Sequence, residues 1–335
     1  MIINLLKTEL IHGSKAFDVL EDEWDELVGR SMTNTPFQSL AYQRSWWSNL
    51  GGGDLFTITI RESTENLIAI GCFYLKDGTV YFNGCIEETD YLDLLVPSTL
   101  AETAWEVILE CMDSSGFPNW NDLDLCNVPE NSPTNTILPE LARQRGYRVN
   151  VEELDVCPVI ALPDTFDAYL ANLSKKHRHE IRRKMRRAEA AGAKVSIVDS
   201  DNDLVSYVDS FLMLLRSSSE AKNAWLNDSR EAVFHEIALA AQKSETLQIM
   251  FLEIDGKKAA GLFNFAYLNR IWVYNSGLDP SKYSHLSAGV VLTARSIEKA
   301  IEDGRSEFDF LRGAEGYKYR FGANDTVVNR LYLSK

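Results

Sequence analysis

The sequence predicts an α/β protein of the α+β type, made of two similar halves that each contain a mixed, mostly antiparallel sheet flanked by helices. The main observation is that strand-like and helix-like segments recur in the same order in both halves of the 335 residues. An apolar fraction of 45% is enough for a sizeable core. The halves also differ in charge, since residues 1–165 carry a net charge of −18 and residues 166–335 one of +3. We therefore expect two domains, 1–160 and 161–335.

The first half begins with two helical patterns and continues with three short strands. The strands are rich in β-branched and aromatic residues and are separated by polar turns, which is typical of an antiparallel meander. A further helix and strand follow them. The helices are predicted at 16–30, 39–50 and 102–116, and the strands at 55–60, 67–75, 79–84 and 122–126.

The second half repeats this order of elements. The helices are predicted at 165–174, 173–192, 203–220 and 288–304, and the strands at 247–254, 259–268, 271–280 and 308–313. Ser287 and Gly304 are suitable caps for the last helix. The recurrence favours a duplicated unit, and the alternative is a coincidence between two ordinary α/β domains.

A strongly basic helix, residues 173–192, lies near the start of the second half. Between Lys175 and Arg187 the sequence has eight Lys or Arg and one Glu, and like charges four residues apart on a helix repel each other. Three interpretations stay open: ion pairs with the acidic first domain, binding of a phosphate or carboxylate by arginine side chains, and nucleic-acid binding. The candidate substrate-binding residues of this helix are Lys176, Arg178 and Arg182.

Four stretches resemble the tandem GNAT acyltransferases. Three lie in the second half: LSKKHRHEIRRKMRRAEAAG (173–192), GLDPSKYSHLSAGVVLTARSIEKAIEDG (277–304) and FDFLRGAEGYKYRFG (308–322). The fourth, TDYLDLLV (89–96), resembles a signature of the first half. Their order and spacing are similar to those of the Fem-type peptidoglycan aminoacyltransferases and of the Fem-like or cellulose-biosynthesis-associated (CelD-like) acetyltransferases.

This resemblance implies transfer of an acyl or aminoacyl group to an amine. The donor would be acyl-CoA, as the first expectation, or aminoacyl-tRNA. The acceptor would be a small-molecule or nucleotide-linked amine of cell-envelope or exopolysaccharide metabolism. Residues 283–289 stand where GNAT enzymes carry a Gly-rich loop for the CoA pyrophosphate, but they include one glycine, so the donor stays open. The alternative function is a non-catalytic GNAT pair that binds a phosphorylated ligand or RNA.

Most candidate catalytic residues lie in the stretch 308–322. Asp309 is near the end of a strand, and Tyr317 and Lys318 follow on a turn with two glycines, at a position where α/β folds place ligands. Arg312, on the same turn, is a candidate substrate-binding residue. By resemblance, Lys318 would contact the donor or substrate and stabilise negative charge on the transferred carbonyl. Tyr317 or Tyr319 is the candidate to protonate the leaving thiolate or ribose hydroxyl. The alternative is that Asp309 and Arg312 pair structurally and that the tyrosines belong to the core.

The turn before the last long helix is the candidate donor site. The first N–H groups of this helix can bind an anion, unless Ser287 is only a cap. His285 is a candidate general base. Backbone N–H groups of the splayed strand near residues 272–276 would hold the oxyanion. The candidate donor-binding residues are Ser287, Ala288, Gly289, Tyr274 and Asn275.

Asp90 and Asp93 lie three residues apart at a strand-to-loop junction of the first half. A carboxylate at this position can orient or deprotonate the acceptor amine, which makes both residues candidates for the acceptor site. The alternative is that each is an ordinary turn aspartate.

Several classes of function have no support. The chain lacks GxGxxG, P-loop, GxSxG, HExxH and CxxC motifs, and we expect no metal site. Five widely spaced cysteines predict buried free thiols in a reducing compartment. The N-terminal apolar run ends at Lys7, which is too short for a signal-peptide core, and we expect no membrane span. The protein is therefore expected to be a cytoplasmic monomer or homodimer.

Overall fold

The computed structural model describes residues 6–63, 65–85, 88–198 and 203–335. The apolar run at residues 1–6, where we expect no signal peptide, lies almost entirely outside the described residues. The chain divides into two compact units: unit 1 is Met1–Val156 with Val327–Lys335, and unit 2 is Cys157–Thr326. The last nine residues are thus grouped with the first unit.

Unit 1 consists of a sheet and the helices that cover it. Its strands are β1 (Lys7–His12), β2 (Asp54–Arg61), β3 (Leu67–Lys76), β4 (Thr79–Phe82), β5 (Asp122–Pro129), the first part of β6 (Arg148–Ala161) and most of β12 (Asn324–Ser334). Its helices are α1 (Lys15–Val19), α2 (Glu21–Arg30), α3 (Leu40–Leu50), α4 (Ala101–Asp113) and α5 (Thr134–Gln144).

Unit 2 contains the remaining elements. Its strands are β7 (Lys194–Ile197), β8 (Leu247–Ile254), β9 (Lys257–Tyr267), β10 (Arg270–Leu278), β11 (Glu307–Asp309) and the end of β6. Its helices are α6 (Phe166–Asn172), α7 (Lys175–Ala190), α8 (Leu204–Ser218), α9 (Glu220–Trp225), α10 (Asp228–Lys243), α11 (Pro280–Tyr283), α12 (Ala288–Glu302) and α13 (Gly316–Arg320).

The two units have the same strand order. In unit 1, β1 to β4 form an antiparallel meander, β5 pairs in parallel with β4, and β12 pairs antiparallel with β5. In unit 2, β7 to β10 form the meander, β11 pairs in parallel with β10, and β6 pairs antiparallel with β11. The predicted fold class, with two similar α/β halves and mostly antiparallel pairing, is confirmed.

The helices pack through apolar faces that the sequence spacing sets. In α4, Trp105, Ile108 and Met112 recur at three and four residues and are almost fully buried. In α7, Ile181, Met185 and Ala188 follow the same spacing and are buried, while most of the cationic side chains of that helix are exposed. The basic segment is therefore a surface helix attached by a narrow apolar stripe.

Some predicted elements differ from the observed ones. The helix predicted at 16–30 is two helices, because Leu20 (φ −103°, ψ 11°) lies between them outside helical geometry. The strand predicted at 308–313 ends at Asp309, since Leu311 has a φ of +58° that a strand cannot contain. The sequence pattern does not predict helices α5, α9 and α10.

The expectation of five free thiols is wrong for one pair. Cys126 of β5 forms a disulfide with Cys85, which follows β4. The two residues are 41 apart in sequence, but their Cα atoms are 5.8 Å apart. Cys72, Cys111 and Cys157 form no disulfide with any described residue. Burial raises the pKa of the Cys72 thiol to about 12, so this thiol is poorly reactive.

Candidate functional site

The candidate site is an opening in the sheet of unit 2. Strands β10 and β11 pair in parallel over three residues, ending at Trp272 and Asp309. Beyond this point β10 continues along β9 to Leu278, whereas β11 stops and the chain turns into a loop. We call the opening between residues 273–278 of β10 and the loop 310–315 the wedge. A bulge between Val273 and Asn275 interrupts the β9–β10 register at its start.

The corresponding position in unit 1 is occupied by the chain itself. Strands β4 and β5 also pair over three residues, ending at Tyr81 and Asp124. Beyond them, Leu92 N–H donates to Asn127 O over 2.9 Å, and Leu92 and Leu94 are buried. In unit 2, by contrast, no backbone hydrogen bond joins residues 273–278 to residues 310–315 in the described ranges.

Side chains bind the backbone of β10 along the wedge. Ser276 N–H donates to Asn275 Oδ1 over 2.9 Å, and Leu278 N–H donates to Ser218 Oγ over 2.9 Å. Ser276 O accepts a hydrogen bond from Lys222 Nζ over 2.5 Å. An extended ligand that pairs with the backbone of Ser276 must therefore displace these side chains. The Ser276 N–H, which lies in the segment expected to hold the oxyanion, is already engaged.

Lys222 is a site residue that sequence reasoning missed. It lies in the polar stretch EAKNAW, which carries no motif. Helix α8 brings it to β10 through a close crossing, where a Cβ on Gly277 would be only 2.5 Å from Leu215 N. Burial lowers the pKa of Lys222, and the negative charge of Glu315 acts in the opposite direction. The role of Lys222 at the site is visible only in the folded structure, where its Nζ reaches the backbone of β10.

Lys318 organises the loop on the other side of the wedge. Its side chain is only 3% exposed. Its Nζ donates to the carbonyls of Leu311, Arg312 and Gly313 over 3.1, 2.8 and 2.9 Å and forms an ion pair with Glu315 over 2.8 Å. An ammonium has three N–H donors, so these four acceptors use its full capacity. This geometry fits a positioning role for Lys318.

Asp309 is also fully buried and engaged. Its carboxylate accepts from Arg270 over 3.1 Å and from Leu311 N–H over 2.8 Å. The second bond helps to hold Leu311 at its positive φ. Asp309 thus forms an ion pair with Arg270 over 3.1 Å, and the Asp309–Arg312 pair stays an expectation. Arg312 is half-buried, and its carbonyl is one of the Lys318 acceptors.

Tyr317 lies at the surface of the loop, and 37% of the residue is exposed. It packs edge-on against Phe310, with ring centroids 6.0 Å apart. Burial of the hydroxyl, together with the charge of Glu315, raises the pKa of Tyr317, so the phenol keeps its proton at neutral pH. It therefore remains available as a proton donor.

The N-terminus of α12 differs from the expected capped helix. Ser287 occupies the N-cap position but has a left-handed backbone (φ 55°, ψ 48°), and its side chain makes no cap hydrogen bond. The expectation that Ser287 caps α12 through its hydroxyl is therefore wrong. Ala288 and Gly289 form the first turn, whose N–H groups have no acceptor within the helix. His285 lies on the preceding 3₁₀ turn and is exposed.

Tyr274 and Asn275 lie at the bulge of β10. The half-buried Tyr274 ring contacts Phe234, Phe263 and Phe265 at centroid distances of 5.3–5.8 Å. Asn275 Oδ1 binds Ser276 N–H and Lys222. The structure thus brings Tyr274, Asn275, Asp309, Arg312 and Lys318 to the two sides of the wedge.

Most cations of α7 have no ion-pair partner in the described part of the chain. Arg182 pairs with Asp167 over 3.0 Å, and Lys184 pairs with Glu180 over 2.7 Å. Arg178 is half-buried and donates to Ala171 O over 3.3 Å. The cations of α7 without an observed partner are Lys175, Lys176, Arg183, Arg186 and Arg187. They form an exposed basic surface.

Helix α7 is attached close to the Lys318 loop. A Cβ on Gly322 would lie 2.7 Å from Leu173, just before α7, and Tyr169 OH donates to Phe321 O over 2.8 Å. The hydrogen bond and charge of Lys184 lower the pKa of Glu180 on α7 most, and the charge of Arg320 of α13 adds to this. The basic surface therefore begins beside the segment that carries Lys318.

The two aspartates of unit 1 are both nearly buried, at 7% exposure for Asp90 and 6% for Asp93. The Asp93 carboxylate accepts from Thr33, Thr134 and Ser132, the first two over 3.0 and 2.7 Å, and from Leu94 N–H over 2.9 Å. This network joins the end of α2 to the start of α5. For Asp93, a role in holding unit 1 together accounts for its contacts.

Asp93 gives unit 1 a testable pH dependence. Burial raises the pKa of Asp93 to about 6, against the opposing effect of its hydrogen bonds. The stabilisation by the protonated form is present below the unfolded pKa near 4 and is lost as pH rises through about 6. We expect the free energy of unfolding to fall by roughly 2 kcal/mol between pH 4.5 and 7. Urea unfolding of the wild type and of Asp93→Asn at pH 4.5 and 7 measures it. The asparagine variant should not show this loss of stability with rising pH. An equal loss in both proteins would contradict the assignment of the pH dependence to Asp93.

The described residues also bear on metals and on membranes. No group of three or more His, Cys, Asp or Glu in the described ranges is placed to hold a metal ion. Among the helices formed by these residues, none combines the length and apolar character needed to cross a membrane.

The comparisons with known proteins agree with this fold. Residues 175–319 match the family model described as acetyltransferase (GNAT) domain. The matched residues lie within unit 2 and include α7, the wedge and Lys318. No curated protein matches the chain.

Several solved structures are similar over nearly the whole chain. FemX has a TM-score of 0.66 at 10% identity, covering 96% of each chain. L-PGS from Bacillus licheniformis has a TM-score of 0.59 at 11% identity, covering 93% of this chain and 91% of that one. The C-terminal domain of a putative lysylphosphatidylglycerol synthetase from Agrobacterium fabrum has a TM-score of 0.56 at 11% identity, covering 92% of each. At these identities the similarity shows a shared fold. The CelD-like part of the resemblance stays a prediction.

Proposed function

We propose that the chain is an N-acyltransferase whose reaction site is the wedge of unit 2. The observation that carries this proposal is the separation of β10 from β11 after three paired residues, next to a bulge, within the residues that match the GNAT domain. The open wedge gives an acyl group access to the middle of the sheet. The uncapped first turn of α12 offers N–H groups to an anionic part of the donor.

The reaction would be direct transfer to an amine. The nitrogen of the acceptor attacks the carbonyl carbon, a C–N bond forms, and the tetrahedral intermediate carries negative charge on oxygen. Collapse breaks the C–S bond of a thioester or the C–O bond of an ester. The leaving thiolate or alkoxide takes a proton, for which Tyr317 is the candidate, and the amine loses one, for which His285 is the candidate base.

The donor would be acyl-CoA or aminoacyl-tRNA, and two observations favour aminoacyl-tRNA. The backbone of Ser276 is occupied by Lys222 and Asn275, which hinders a ligand that adds to β10 as an extended chain. The basic surface of α7 suits a polyanion. Both donors are made in the cytoplasm, so we place the protein there.

The acceptor is proposed to belong to cell-envelope metabolism. The name lysylphosphatidylglycerol synthetase of one structural neighbour indicates a lysyl group joined to a phospholipid, which supports an envelope-related acceptor. The exopolysaccharide acceptor expected from the sequence stays within this proposal. A small-molecule or nucleotide-linked amine fits it equally.

A charge placed at the start of α12 tests the donor site. Gly289→Asp adds a carboxylate in the first turn of α12. Helices tolerate acidic residues at this position, but the added negative charge would repel an anionic donor. Its Cβ would be in tight contact with Leu278 at 3.3 Å. We expect a loss of donor affinity of about tenfold or more with the fold retained. Isothermal titration with acetyl-CoA and with a mixture of aminoacyl-tRNAs measures it.

Gly29→Asp is the matched control, because a Cβ at Gly29 meets no atom within 4 Å and the residue lies in unit 1. It should bind like the wild type. If the wild type binds neither donor, the proposal fails. If it binds one but consumes none in the presence of amines, the non-catalytic alternative is correct. Mass spectrometry of the natively purified protein can identify a retained ligand.

A further inference from the structure

The ammonium of Lys222 has unused hydrogen-bonding capacity beside the wedge. It carries three N–H donors, and two of them are directed to Ser276 O and Asn275 Oδ1. The side chain is half-buried, and in the described ranges no carboxylate lies within ion-pair distance of its Nζ. Placing a positive charge in a partly desolvated position without a direct counter-ion is unfavourable unless a ligand offsets it.

Other donors near the wedge are already in use. Lys318, the residue expected to stabilise negative charge on the carbonyl, has four acceptors for three N–H groups. The N–H of Ser276 is bound to Asn275 Oδ1. A carbonyl oxygen that enters the wedge next to the bulge therefore meets Lys222 as a cation with a donor to spare.

We infer that Lys222 is a catalytic residue whose third N–H binds the carbonyl oxygen of the transferred acyl group. This inference rests on the proposed acyltransferase function. The ammonium stays protonated throughout. The acceptor nitrogen adds to the carbonyl carbon, the C=O electron pair moves to the oxygen held by Lys222, and it returns as the bond to the leaving group breaks. Lys222 stabilises the oxyanion and transfers no proton.

The test uses Lys222→Met, which keeps the length of the side chain and removes its charge, and Lys222→Arg, which keeps the charge. The assay measures thiol release from acetyl-CoA and amino-acid release from the aminoacyl-tRNA mixture, with and without added amines. We expect Lys222→Met to lower kcat roughly 10- to 100-fold with little change in KM, and Lys222→Arg to recover part of the loss.

The pH profile distinguishes catalysis from a structural role. Glu315 is the charged group that acts on Lys222, while its direct partners Asn275 and Ser276 are neutral. Activity of the wild type should fall at alkaline pH as Lys222 loses its proton. This alkaline limb should move to higher pH in Lys222→Arg and be absent in Lys222→Met.

Lys243→Met is the control, because Lys243 is exposed at the end of α10. CoA itself, which lacks the acyl carbonyl, should bind equally to wild type and Lys222→Met if it binds at all. If the wild type is active and Lys222→Met has an unchanged kcat and pH profile, only the inference on Lys222 is overturned. If the wild type consumes neither donor, the proposed function fails and the inference with it. Lys222→Gln replaces the methionine variant if that variant does not fold.

Discussion

Lys318→Met should abolish acyl transfer and destabilise unit 2 by roughly 3 kcal/mol or more. The substitution leaves three backbone carbonyls and the Glu315 carboxylate without their common donor. The carbonyls belong to the loop that forms one side of the wedge, so its geometry would be lost along with its stability. Urea unfolding and the donor-consumption assay, carried out on the same preparation, measure both effects.

Arg320→Met is the matched control for stability. Arg320 lies in the same short helix, α13, but is exposed. Its replacement should change the free energy of unfolding by no more than about 0.5 kcal/mol. If Lys318→Met keeps wild-type stability and loses activity, Lys318 contacts the substrate, as the resemblance implied. If Lys318→Met keeps wild-type stability and wild-type activity, Lys318 neither positions the loop nor contacts the substrate.

The second large effect is expected from the basic surface of α7. Replacing Lys175, Lys176 and Arg183 together by glutamine should weaken tRNA binding roughly 100-fold at low salt and lower the slope of log K against log salt by about 2 to 3. None of these side chains has an observed ion pair in the described ranges, and all are exposed. The fold should therefore be unaffected. Filter binding of aminoacyl-tRNA at salt concentrations from about 50 to 200 mM measures the affinity and the slope.

A second triple variant, which loses the same charge outside α7, tests whether tRNA contacts α7 itself or responds only to the overall charge of the protein. Lys194, Lys243 and Lys257 are exposed and lie outside α7. Their replacement by glutamine removes the same charge and should cost much less affinity. Acetyl-CoA binding should be nearly unchanged in both variants. If the two triple variants weaken tRNA binding equally, α7 is not the binding surface.

The regular elements can be predicted from local pattern. Strand β8 has the predicted bounds, and β9, β10 and α12 differ from theirs by about two residues. Alternating and helical periodicities are local properties, and Gly or Asp-Gly turns mark their ends. The single helix expected at 16–30 is wrong because no proline or glycine marks the break at Leu20.

The site depends on contacts that local pattern does not encode. The sequence predicts Lys318 as a substrate contact, because sequence alone cannot show that three carbonyls of the preceding loop surround its Nζ. Ser287 has the residue type of an N-cap, but its backbone is left-handed and its side chain makes no cap hydrogen bond. Lys222 becomes significant only because glycine at position 277 allows α8 to cross β10 closely.

The wedge also has a thermodynamic consequence. On one side β10 is tied to α8 and α9 through Ser218 and Lys222, and on the other the loop is tied together by Lys318. Both sides are thus ordered before a ligand arrives, so binding costs little conformational entropy of the protein. Association should then be limited by diffusion and orientation, without a slow closing step. Such a rigid template selects donors by excluding those that do not fit, since it cannot reshape itself around them.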